Sequence, residues 1–72
     1  MTGEDLIRVL VNGAPRQLPA GTDVCAVVRS LAPSAAGTAV AVNGEVLPRT
    51  SWPATTLAEG DEVEVLTAVQ GG

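Results

Sequence analysis

The sequence predicts an α+β fold, a mixed sheet with one main helix packed across one face, in the order ββαββ. Three observations point there. Asn-Gly pairs at 12–13 and 43–44 each lie between short aliphatic stretches. Asn-Gly is a strong signal for a two-residue hairpin turn, because both positions accept a positive φ. One segment carries the i, i+3, i+4, i+7 apolar spacing of a helix: Val24, Val27, Val28 and Leu31. A last strand-like run, 62–69, follows the second hairpin. A single helix excludes a doubly wound sheet, and a mixed sheet covered on one face is the economical arrangement.

Taken in order, residues 1–5 are polar and expected to fray. Residues 6–11 read as the first strand, with Ile7, Val9 and Val11 on one face and Leu6, Arg8 and Leu10 on the other. Residues 14–18 pair back, with Leu18 pointing in. Pro15 and Pro19 confine this strand to a sheet edge, since proline has no N–H for the ladder. Thr22 is the expected helix N-cap, and Asp23 in the first turn suits the helix dipole. The helix of about ten residues stops before Pro33, and residues 33–37 form a loop. Residues 38–42 read as the third strand, with Val40 and Val42 inward and Ala39 and Ala41 on the open face. Residues 45–47 form a short fourth strand. A one-turn helix is expected around 51–54, with Trp52 as a lid on the core edge. After a turn at 59–61 the last strand turns Val63 and Val65 inward and Glu64, Leu66 and Ala68 outward. It should lie beside the first strand, in the centre of the sheet. A single domain is expected over 1–69, followed by a flexible tail, 70–72.

Seventy-two residues allow one domain. A domain this size buries only about 60% of its unfolded surface, so its margin of stability is small. Of 33 hydrophobic residues, 11 are alanine and 11 valine, and Trp52 is the lone aromatic. Such a core leaves little room for a cavity of about 300 Å³ or more. There is no histidine, lysine or tyrosine. The usual neutral-pH general base is therefore missing, and no His/Cys cluster can hold zinc. One cysteine makes no internal disulfide. The net charge of −4 disfavours nucleic acid and anionic membranes and suits a basic partner surface. No apolar run is long enough to span a membrane. The N-terminus lacks a basic, then apolar, leader. The expected location is cytoplasmic.

The terminal Gly71-Gly72 is the most informative feature. Two residues without Cβ can thread a narrow channel in another protein, and a tail of about five residues reaches roughly 17 Å. The reactive group there is the α-carboxylate of Gly72, a poor electrophile that adenylation by ATP would turn into an acyl donor. The sheet face opposite the helix should expose Leu10, Ala39, Ala41, Leu66 and Ala68, a candidate docking patch leading into the tail. Glu59, Asp61, Glu62 and Glu64 concentrate negative charge at the start of the last strand. They read equally well as steering groups and as a solvated turn. Cys25 reads as a small, half-buried hydrophobe.

These residues resemble the ubiquitin-like sulfur carriers, and most of all the ThiS-like branch of thiamine biosynthesis. The likeness runs through Val11-Asn12-Gly13, then Val40-Ala41-Val42-Asn43-Gly44-Glu45-Val46-Leu47-Pro48-Arg49 and Trp52. It continues through Leu57-Ala58-Glu59-Gly60-Asp61-Glu62-Val63-Glu64-Val65 and ends in Ala68-Val69-Gln70-Gly71-Gly72. The resemblance implies a β-grasp fold. It implies a protein that is itself no enzyme and binds no cofactor, with ATP used by an E1-like adenylyltransferase that activates Gly72. Val69, Gln70 and Gly71 would thread the partner's channel. Sulfur from a cysteine desulfurase relay would convert the terminus to a thiocarboxylate for thiazole synthase. The alternatives are a sister carrier for molybdopterin or cysteine synthesis, a protein modifier conjugated through Gly72, and a β-grasp binding module with an inert tail. Cys25 and the 33–37 loop carry no part of the resemblance.

Overall fold

The computed structural model describes residues 5–32 and 37–67. The elements are β1 (Leu6–Val11), β2 (Ala14–Pro19), α1 (Val24–Leu31), β3 (Thr38–Val42), β4 (Glu45–Leu47), a 3-10 helix (Arg49–Ala54) and β5 (Glu62–Thr67). The five strands form one sheet in the order β2-β1-β5-β3-β4; the chain order is ββαβββ, one strand more than ββαββ counts. β5 thus lies at the centre, parallel to β1 and antiparallel to β3. The proline-bearing β2 is an edge, as its missing N–H groups require.

Both hairpins close as the Asn-Gly pairs predict. Asn12 and Asn43 each have φ 52°, and Gly13 and Gly44 each have φ 83°, the left-handed pair that a primed turn needs. The tight turns set the registers, Val11 opposite Ala14 and Val42 opposite Glu45.

Val9, Val11, Val40, Val63 and Val65 cover the inner sheet face, where Val24, Val27, Val28 and Ala32 of the helical segment meet them. Full burial of each such valine stabilises by roughly 1.5–3 kcal/mol. Leu57 and Trp52 close the remaining side. Trp52 is the expected lid, 2% exposed, and its Nε1–H donates to the Leu47 carbonyl at 3.2 Å. The 3-10 helix holding it begins two residues earlier than expected.

The helix start corrects one expectation. The N-cap is Asp23, not Thr22: Asp23 has extended backbone and its Oδ1 accepts from the Ala26 N–H at 2.8 Å. Thr22 is engaged elsewhere. Its hydroxyl donates to the Pro19 carbonyl at 2.6 Å, and its own carbonyl accepts from the Leu57 N–H at 2.9 Å. The helix is accordingly eight residues long rather than ten. Its first N–H is also satisfied, donating to the Thr55 carbonyl at 2.9 Å, which ties the helix start to the end of the 3-10 helix.

Candidate functional site

The site begins with β5, because the chain continues from it toward the C-terminus. Both neighbouring strands hold β5 by backbone bonds, and both hairpin turns add side-chain bonds. Asn12 Oδ1 accepts from the Val65 N–H at 2.8 Å, and its Nδ2 donates to the Val65 carbonyl at 3.3 Å. This amide pair extends the β1–β5 ladder beyond the end of β1. Asn43 does likewise at the start of β5: its Oδ1 accepts from the Glu62 N–H at 3.0 Å and its Nδ2 donates to Asp61 Oδ1 at 3.1 Å. The sequence reading treated both asparagines as turn formers only. Their equal spacing from Gly13 and Gly44 was the signal available, but nothing local shows which strand an amide will reach.

On the sheet face away from α1, Leu10 lies beside Glu62, Ala41 beside Glu64, and Ala39 beside Leu66. Leu10 and Ala41 are half-buried and Leu66 is 66% exposed. Opposite Leu66 the small Ala39 provides no cover, so the leucine stands proud of the sheet. Val46, 73% exposed, lies opposite Ala41 on the same face. The sequence reading missed it. The register fixed by the Asn43-Gly44 turn could have found it, since it places residue 46 on the face of residue 41. Ala68, Val69, Gln70, Gly71 and Gly72 lie outside the described residues, as do residues 1–4 and 33–36.

The acidic group divides in two. Glu59 Oε1 accepts from the Arg8 N–H at 2.9 Å, and Asp61 Oδ2 accepts from the Ala58 N–H at 2.8 Å. These two carboxylates build the turn that feeds β5. Glu62 and Glu64 are exposed and border the apolar residues of the open face.

On the opposite, helix-covered side the structure overturns the expectation of little room for a cavity. A groove of about 470 Å³ lies between α1 and the 3-10 helix, lined by Cys25, Val28, Arg29, Ala32, Arg49, Trp52 and Pro53. It lies at the seam between two helices rather than inside the valine core, and small side chains at Cys25 and Ala32 leave it open. Cys25 is half-buried in its wall.

The ThiS family model matches residues 9–72, which takes in the central strand, the second hairpin, the first hairpin from Val9 onward and the terminal glycines. The chain belongs to the ThiS family. It is 29% identical over 66 residues to the sulfur carrier protein ThiS of Escherichia coli, covering 92% of this chain and all of that one. It is similar in structure to the crystallised thiamine biosynthesis protein ThiS of Geobacter metallireducens, with a TM-score of 0.76 and 35% identity. That likeness covers 92% of this chain and all of that one. The five-stranded mixed sheet with one helix is thus the β-grasp arrangement of ThiS proteins. ThiS proteins are carriers rather than catalysts. Among the described residues no helix is long and apolar enough to cross a membrane.

Proposed function

We propose that this chain is a cytoplasmic sulfur carrier for thiazole formation in thiamine biosynthesis, loaded at Gly72. The observation that carries the reading is the ThiS family match, which runs to residue 72 and so includes Gly71-Gly72. An E1-like adenylyltransferase joins the Gly72 carboxylate to the AMP of ATP and releases pyrophosphate. A persulfide sulfur, supplied through a cysteine desulfurase relay, then displaces AMP to form an acyl disulfide, and a second thiol attacks the relay sulfur, releasing the thiocarboxylate and leaving a disulfide on the relay. Thiazole synthase takes the sulfur. Val69, Gln70 and Gly71 thread the channel of each enzyme, where the paired glycines bring backbone close to the catalytic groups.

The open sheet face is the docking patch in this reading, with Leu10, Ala41, Leu66 and Ala68 as its contacts and Val46 extending it. Its support is the exposure of Leu66 and Val46 on one face. A large exposed hydrophobe beside a polar rim is what a protein interface offers. Glu62 and Glu64 at the margin favour partners with a basic rim.

The test is the intact mass after incubation with ATP, a sulfide source and the host's adenylyltransferase. The expected product has one oxygen replaced by sulfur, mapped to Gly72, and it supports thiazole formation when thiazole synthase is added. An unchanged mass, with the enzyme active on another carrier, overturns the reading. Sulfur loading without transfer to thiazole synthase would reassign the chain to a sister pathway.

A further inference from the structure

The groove between α1 and the 3-10 helix plays no part in the carrier chemistry, and it joins two positive side chains to an apolar floor. The chain has four positive side chains and a net charge of −4; Arg29 and Arg49 flank this groove, while Arg8 and Arg16 flank a cleft with Pro15 and Gln17 that has no comparable apolar floor. No described carboxylate pairs with either. Asp23 caps the helix, while Glu59 and Asp61 are turned into the β5 turn. Between the arginines and Cys25 the lining is apolar: Val28, Ala32, Trp52 and Pro53.

The two charges come from different elements. Arg29 is in the last turn of α1. The opposite end of the 3-10 helix is tied to the helix start, since the Val24 N–H donates to the Thr55 carbonyl. Arg49, the first 3-10 residue, is at the end away from that tie, and Cys25 follows the tied Val24. From Cys25 to Ala32 the helix advances about 10 Å at 1.5 Å per residue. That length matches roughly three residues of extended peptide.

We propose that this groove is a second protein-docking site, taking an extended acidic segment of a partner protein that carries an apolar side chain. Carboxylates meet Arg29 and Arg49, and the apolar side chain lies against Val28, Ala32 and Trp52. Charge complementarity selects the occupant. Both arginines are exposed, so a small inorganic anion would gain only two solvent-screened contacts, whereas a peptide adds the apolar floor. Because the groove is on the helix side, a partner held there leaves the open sheet face free. The proposal stands apart from the carrier reading and is tested on the isolated chain.

The experiment compares three fluorescein-labelled octapeptides by anisotropy: alternating leucine and glutamate, alternating serine and glutamate, and alternating leucine and lysine. Binding is expected for the leucine–glutamate peptide alone. It should shift the NMR signals of Cys25, Val28 and the Trp52 indole and slow alkylation of Cys25 by N-ethylmaleimide. The double substitution Arg29→Ala, Arg49→Ala, at two exposed positions, should weaken binding by about tenfold or more with the circular dichroism spectrum unchanged. Absence of binding by the leucine–glutamate peptide overturns the proposal. So does equal binding by the double variant, or by the serine–glutamate peptide. Shifts confined to Leu66 and Val46 would also overturn it, by placing the peptide on the sheet face. Displacement of the peptide by inorganic phosphate at equal concentration would make this a small-anion site and overturn the peptide assignment.

Discussion

Asn12 and Asn43 each perform two tasks at one position. Their backbones take φ 52° in the turn, and their side chains bind β5 at two places. Glycine keeps the first task and loses the second. Asn12→Gly should therefore destabilise the domain by about 1–3 kcal/mol, the cost of losing partly buried hydrogen bonds. Asn43→Gly should cost less, because its bonds are exposed. Urea unfolding of the two variants checks the order, and a larger loss at Asn43 would contradict it. Trp52 is the second residue of this kind. Trp52→Phe removes the indole bond to the Leu47 carbonyl, which keeps its ladder partner Val40, and should cost about 0.5–1.5 kcal/mol. Trp52→Ala should cost about 3–5 kcal/mol, much of the stability a small domain has, and leave little folded protein by circular dichroism. The turns and the lid were legible from sequence because they depend on backbone permission and on one large apolar ring. The amide bridges were not, because they depend on where a distant strand lies.

Among the elements, α1 shows how a local signal can be right in kind and wrong in position. Thr22 and Asp23 are both good caps by residue type. The choice between them is made by the segment after the 3-10 helix, which engages Thr22 through Leu57 and binds Val24 through Thr55. Asp23→Ala should cost about 1 kcal/mol, whereas Thr22→Ala should stay within about 0.5 kcal/mol. Thermal unfolding of the pair checks this, and the reverse ranking would restore Thr22 as the cap. The strand elements were readable almost to the residue. Their alternation is regular, and two tight turns leave no freedom of register. The groove was not readable, because it arises where two helical elements from distant parts of the chain meet edge to edge. Composition speaks to the volume of a core and says nothing about a seam.

For the molecule as a whole, the proposed division of labour is between a valine-built body and a terminus that would be loaded with sulfur. Deleting Gly72 should leave the melting temperature unchanged and abolish sulfur loading, as read by calorimetry and intact mass. Thiocarboxylate formation by the truncated chain would remove Gly72 from the mechanism. Leu66→Asp should leave the fold intact and weaken complexes with the adenylyltransferase by about tenfold, as loss of an exposed interface anchor does. Unchanged affinity in a titration would move docking off this face. The architecture was open to sequence reasoning through the hairpin spacing, and the family through the motifs that run to the paired glycines. The central place of β5 has a mechanical consequence. A pull on the chain beyond Thr67 acts along a strand bonded on both sides. Antiparallel bonds lie perpendicular to their strands, so the bonds to β3 are loaded together, in shear, rather than opened one by one like a zip. An enzyme can tug the end of this protein hard without peeling the domain apart.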